Sequence, residues 1–227
     1  MSALNQYGDQ RIATHSGHGV DIASQRADDL DLLAIGFIHQ LVDQKRKAVR
    51  ALDVGCGFGG QAARLVEAGA FVECMDIEDY SVEIHCQMAL CADGHRHRFT
   101  QASVLDQPAI GTVHAISCQR MLHYLPYQHA VKALTWMLDI LCPGGRLFIS
   151  ASGLNSELGD GYPGKSVPIG ERFAFLSDEM AEKHSIHPPV CLYTLDELST
   201  LLSDTGWVVE QGFVSGFGNI KIVAAER

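Results

Sequence analysis

The chain has 227 residues, 47% hydrophobic and 19% charged, a balance that excludes a disordered chain and suffices for one large buried core. A formal net charge of −10 argues against an electrostatic grip on a phosphate backbone, so nucleic acid is not an expected partner. The seven cysteines contain no C-x-x-C pair, and no apolar run is long enough for a signal peptide or a membrane span. Reduced thiols, a cytoplasmic location and no membrane partner are the expectation.

In chain order, residues 1–27 are polar and read as an N-terminal arm or lid. From 28 to about 45, Leu30, Leu33, Ala34, Phe37, Ile38 and Leu41 recur at helical spacing and predict an amphipathic helix. Residues 49–54 form a short apolar strand that runs into Gly55-Cys56-Gly57-Phe58-Gly59-Gly60. A helix resumes over 61–68 and stops at Gly69, and a second strand over 71–75 is closed by Asp76.

Residues 80–92 read as helix, 98–102 and 113–118 as strands, and 126–141 as a helix with Pro126 at its start. The run Cys142-Pro143-Gly144-Gly145 should stop that helix before a strand over 146–150. Thr194-x-x-Glu197 is a capping box opening a helix to about residue 205. Strands over 207–214 and 219–225 are joined by four residues, which permits only an antiparallel hairpin. Between 151 and 193 the alternation lapses in a stretch rich in glycine and proline, too long for an ordinary connection. Alternating strands and helices predict an α/β fold: a doubly wound, seven-stranded, mostly parallel sheet ending in an antiparallel hairpin.

The chemistry is carried by the first turn. Glycines between a strand and a helix let a ligand approach the backbone, and an acidic residue ending the next strand can accept ribose hydroxyls. Gly55-x-Gly57-x-Gly59 and Asp76 supply both, but Gly55, Gly57 and Gly60 also satisfy a dinucleotide fingerprint. Asp53 separates the two readings, because a carboxylate at that place repels a pyrophosphate and suits a ligand bearing an ammonium and a sulfonium. Asp53 could instead cap the turn.

Leu52-Asp53-Val54-Gly55-Cys56-Gly57-Phe58-Gly59 resembles the first motif of class I S-adenosylmethionine-dependent methyltransferases. Asp76-Ile77 is similar to their ribose-binding acidic position, and 141–147 to the loop entering their fifth strand. The likeness covers 28–227, with 151–193 left over as an acceptor-side insertion or lid. It implies a Rossmann-like methyltransferase domain that uses S-adenosyl-L-methionine as cofactor. By position, Asp53 would hold the methionine end, and Gly55, Cys56 and Gly57 would line the backbone approach. Asp76 would bind the ribose and Ile77 pack on adenine. Ser103 and Val104 stand where the family often has an acid facing the adenine amine, and Cys118 and Gln119 would face the methyl-donor end.

The implied reaction is methyl transfer to an oxygen or nitrogen of an acceptor, a small molecule in preference to a protein or glycan. A non-catalytic cofactor-binding regulator is the alternative from another class. A dehydrogenase is disfavoured by Asp53 and by the absence of Y-x-x-x-K after Tyr80, Tyr124, Tyr127 and Tyr162. The Pro-Pro-aromatic run of base-methylating enzymes is missing from Cys118-Gln119-Arg120-Met121. His85, Cys86, Cys91, His95 and His97 fit no common zinc spacing, so no metal is expected. A hydroxyl acceptor benefits from a general base, for which His123 is the candidate, with structural packing beside Tyr124 as the other reading. Arg120 could bind an acidic acceptor or be a solvated charge. In the insertion, Glu157, Asp160, Tyr162 and Arg172 are candidates for acceptor recognition, against simple loop solvation.

Overall fold

The computed structural model describes residues 8–46 and 48–227. Seven strands form one sheet: β1 (Arg50–Val54), β2 (Phe71–Asp76), β3 (His97–Gln101), β4 (Val113–Gln119), β5 (Leu141–Ala151), β6 (Trp207–Val214) and β7 (Ile220–Glu226). Their order is β3-β2-β1-β4-β5-β7-β6. Strands β3 to β5 across the sheet pair in parallel, and β7 is antiparallel to both β5 and β6. The doubly wound sheet with its terminal hairpin is as the sequence predicts.

Helices α1 (Asp29–Asp43), α2 (Gly60–Glu67) and α3 (Ser81–Met88) cover one face. Helices α4 (Tyr127–Asp139) and α6 (Leu195–Asp204) cover the other, and α5 (Asp178–His184) lies in the insertion. Successive strand residues point to opposite faces. Ala51, Ala115, Phe148 and Val223 therefore join Leu30, Ile38, Leu65 and Ile84 in one core. Their neighbours Leu52, Ile116, Ile149 and Ile222 join Leu134, Met137, Leu198 and Leu202 in the second. The same alternation sends Asp53, Ser117 and Gln119 toward α1 and α2, at the carboxyl ends of the two central strands.

Two boundaries differ from expectation. Strand β5 begins at Leu141, which pairs with Val113 before the register shifts and Arg146 pairs with Ala115. The Pro-Gly-Gly run is thus an irregularity inside the strand's course, with Gly144 at φ 77°, and not a separate turn. Helix α3 ends four residues early, because the backbone from Cys91 to Gly94 closes successive turns that no longer propagate the helix. The Thr194–Glu197 capping box is present in both directions, at 3.2 and 2.8 Å.

The insertion has its own core. Leu154, Leu158, Tyr162, Leu176, Met180, Ile186, Val190 and Leu192 pack together. Its base is stapled by Leu154 N–H to Tyr193 O and Tyr193 N–H to Ser152 O, at 2.7 and 3.1 Å. Part of the predicted N-terminal arm, residues 1–7, lies outside the described residues. Residues 8–27 fold back over the sheet end as a strap.

Candidate functional site

A cavity of about 630 Å³ opens at the carboxyl ends of β1, β2, β4 and β5. That is where doubly wound sheets bind ligands, and the volume falls in the usual range of roughly 300–1,000 Å³. Its floor is the turn after β1, held because Gly55 and Cys56 N–H both donate to Met75 O, at 2.8 and 3.1 Å. Gly57, at φ 48°, has no atom within 4 Å of where a Cβ would stand, so its surface is open to a ligand. Asp76 Oδ2 accepts from Gly57 N–H at 2.9 Å and Oδ1 from Glu78 N–H at 3.1 Å, which ties the end of β2 to the turn.

Asp53 lines this floor at 4% exposure, and its Oδ2 makes no hydrogen bond. Burial and the adjacent Asp31 charge push its pKa up to about 7. Asp31 is on the buried side of α1, where burial and Asp28 also raise its pKa. It is fixed by the capping box with Asp28, whose N–H it accepts at 2.7 Å, and by a short hydrogen bond from Gln119 Nε2. Gln61, on the first turn of α2, is buried with both amide atoms unpartnered. Unpaired buried polar atoms are costly, and their concentration at one corner of a cavity marks a place built for a polar ligand.

Next to Gln119 the chain leaves β4 through Arg120, which sits at φ 53° with its N–H directed to Ser150 O and Oγ, at 3.0 and 3.1 Å. Met121 then packs beneath Gly55, where an added Cβ would come within 2.7 Å of the methionine side chain. His123 is 1% exposed, and burial, then Arg120 and His18, push its pKa down to about 3. Its Nδ1 faces Ser152 N–H at 3.5 Å, an arrangement that leaves the ring proton on Nε2. Tyr124 lies against His123 at 4.2 Å and against the edge of His18 at 4.9 Å, between ring centroids.

The roof has two pieces. The strap rests on the turn, with Ala23 O only 2.2 Å from where a Gly60 Cβ would be, and with the His15 ring stacked on Tyr80 at 4.4 Å. Its far side is joined to the insertion: Gly19 N–H donates to Ser185 O at 2.8 Å, and His187 N–H to Gly17 O at 3.0 Å. Lys221 of β7 is buried and pairs with Asp28 at 2.8 Å, and Arg26 of the strap pairs with Asp9 at 2.8 Å.

Of the residues singled out from sequence, Asp53, Gly55, Cys56, Gly57, Asp76, Ile77, Ser103, Val104, Gln119, Arg120 and His123 all line this cavity. Ile77 is 58% exposed there. Cys118 does not: alternation along β4 turns it into the core with Leu122 and Leu134, fully buried. Of the four insertion residues singled out, Glu157 alone reaches the cavity. Tyr162 donates its hydroxyl to Val190 O at 2.6 Å, and Arg172 bonds Gly164, Val167 and Leu192 carbonyls and Glu197. Tyr162 pins the insertion internally, Arg172 also ties it to Glu197 of α6, and Asp160 is an exposed turn residue. Sequence reasoning missed Asp31, Gln61, His18 and Lys221. Asp31 left a trace, a carboxylate three and seven residues before Ala34 and Ile38 on an otherwise apolar helix face.

Residues 51–145 match a family model described as a methyltransferase domain. Among curated proteins, the chain is 29% identical over 131 residues to a ubiquinone biosynthesis O-methyltransferase of Dechloromonas aromatica, covering 57% of this chain and 54% of that protein. The same-named protein of Xanthomonas axonopodis pv. citri is 31% identical over 103 residues, covering 44% and 42%. The chain thus spans about half the length of the curated relatives it matches. Solved structures of similar fold include magnesium protoporphyrin IX methyltransferase from Synechocystis PCC 6803 with bound S-adenosylhomocysteine (TM-score 0.62, 16% identity, 87% of this chain and 83% of that one). Another is the Burkholderia thailandensis 1,6-didemethyltoxoflavin-N1-methyltransferase with its acceptor and S-adenosylhomocysteine bound (TM-score 0.63, 18% identity, 87% and 78%).

Proposed function

We propose that this chain, a member of the class I S-adenosylmethionine-dependent methyltransferases, transfers a methyl group to an oxygen or nitrogen of a small-molecule acceptor. The observation that carries the reading is the unpartnered, buried Asp53 Oδ2 on the cavity floor, with Asp31 beside it. Two carboxylates there fit a ligand bearing an ammonium and penalise a pyrophosphate. The open backbone at Gly57 and the exposed Ile77 fit the rest of such a nucleoside ligand.

When bound, S-adenosylmethionine supplies a methyl group on a cationic sulfur. The chain's own residues bind, orient and exclude water. Asp53 and Asp31 receive the ammonium, with Gln61 offering an amide at the same corner. Asp76 keeps lone pairs for the ribose hydroxyls beyond the two backbone N–H groups it already accepts. Ile77 and Val104 offer apolar surface to adenine, beside Ser103. Strap and insertion cover the cavity, and alignment in a dry site accounts for most of the rate such a displacement needs.

His123 acts as a neutral hydrogen-bonding group that positions the acceptor. A ring whose pKa is near 3 holds an abstracted proton too weakly to be an efficient base at neutral pH. Calorimetry tests the reading: S-adenosylhomocysteine should bind at one site per chain, and NAD should not compete. Tight NAD binding with no response to S-adenosylhomocysteine would overturn it.

A further inference from the structure

We propose that Arg120 is the anion-binding residue of the acceptor subsite, and that the acceptor carries a single carboxylate on an apolar body. This rests on the methyltransferase reading above and adds the acceptor's chemical class to it.

Three Lys or Arg side chains line the cavity among the described residues, against eight carboxylates. Arg26 is taken by Asp9 and Lys221 by Asp28. The Arg120 guanidinium has no ion pair and no hydrogen bond among the described residues, although it shares the cavity with so many acids. Its backbone accounts for this. A left-handed φ of 53° is uncommon for arginine and is fixed by the double contact with Ser150. The chain therefore turns sharply off the end of β4 immediately after Gln119, the residue that reaches Asp31. Arg120 is among the charges acting on His123 and Tyr124, whereas Arg64 and Arg26 are the cations that act with Asp31.

The guanidinium is thus the unpaired cation of the cavity that acts on His123 and Tyr124. Tyr124, Leu158 and Ile186 line the same cavity and pack together, which gives the Tyr124 side an apolar wall. A free guanidinium is pre-shaped for a two-point grip on a carboxylate. The surrounding acids repel a multiply charged group such as phosphate, so one negative charge is what the subsite favours. The cofactor's own carboxylate is the other source of that chemistry, and the experiment separates the two.

The test uses the full chain saturated with S-adenosylhomocysteine and two matched pairs of probes, benzoate with benzamide and hexanoate with hexanamide, read by ligand-detected NMR titration. At least one acid should bind ten-fold or more tightly than its amide. Arg120→Asn should abolish that preference while S-adenosylhomocysteine affinity stays within two-fold; asparagine tolerates left-handed backbone, so the fold should be kept. Arg120→Lys should retain part of the preference. Equal binding, or no binding, of acid and amide in both pairs refutes the proposal, and so does a preference that survives Arg120→Asn. A ten-fold loss of S-adenosylhomocysteine affinity in Arg120→Asn assigns the guanidinium to the cofactor, which sinks the proposal and leaves the methyltransferase reading standing. Failure of the unaltered protein to bind S-adenosylhomocysteine removes that reading and the proposal with it.

Discussion

Replacing Asp53 with Asn removes a charge that the fold holds at considerable cost. With its pKa raised to about 7, Asp53 is half protonated near neutrality in the ligand-free protein, and a cationic ligand needs the ionised form. Apparent affinity then falls by the factor 1 + 10^(pKa − pH), so S-adenosylhomocysteine should bind about ten-fold more weakly at pH 6 than at pH 8, or about 1.4 kcal/mol. The Asn variant should bind weakly at both and lose that slope. Stability moves the opposite way. An acid whose folded pKa lies above its unfolded value takes up a proton on folding between about pH 4 and pH 7. Folding is therefore penalised increasingly as pH rises through that window. The shift from 3.8 to about 7 is worth at most about 4 kcal/mol above it. The ligand-free Asn variant should unfold at a higher temperature than the natural chain at pH 8 and at nearly the same temperature at pH 4. Calorimetric titration at pH 6, 7 and 8, with thermal unfolding at the two extremes, measures both effects. A natural-chain affinity that is flat over pH 6–8, or an Asn variant that binds as tightly as the natural chain, would refute the reasoning.

Asp76→Ala should weaken S-adenosylhomocysteine binding by about 1.5–3 kcal/mol. It should also lower the ligand-free unfolding temperature, because Gly57 and Glu78 lose their acceptor; unchanged values of both would show that Asp76 neither anchors ligand nor ties the turn. Gly60→Ala should lift the strap off the turn, since the new Cβ would collide with Ala23 O, and limited proteolysis should then cut faster within residues 9–27. An identical cleavage pattern would mean that the strap is not seated there. His123→Asn should leave the pH profile of kcat/KM unchanged in shape; an inflection near pH 6–7 that the substitution abolishes would restore His123 as a general base.

The fold was legible because it rests on local signals: apolar residues at helical or alternating spacing, the glycine turn, the capping box, and a link too short for anything but a hairpin. Site residues adjacent to those signals, Asp53 and Asp76 among them, could be placed on the cavity for the same reason. What could not be read depends on which way a strand faces and on what lies across from it. Cys118 and Gln119 differ by one position, and only pairing to β1 and β5 shows that the first enters the core while the second reaches Asp31. Arg172 and Tyr162 look like polar loop residues until the carbonyls they hold are seen. Gln61 became visible as a candidate only through the lack of a partner, which no sequence pattern encodes.

The joint between strap and insertion bears on how ligands come and go. Segments more than 150 residues apart in the chain are latched by the Gly19–Ser185 and Gly17–His187 hydrogen bonds, and so behave as two leaves of one door. Movement of either segment away from the cavity has to break those two hydrogen bonds or carry the other segment with it. Crowding the latch should therefore change the pace of turnover without touching the chemistry. Gly17, at φ 72°, is the place where one added methyl would do so, since a Cβ there would stand 2.6 Å from the His187 ring.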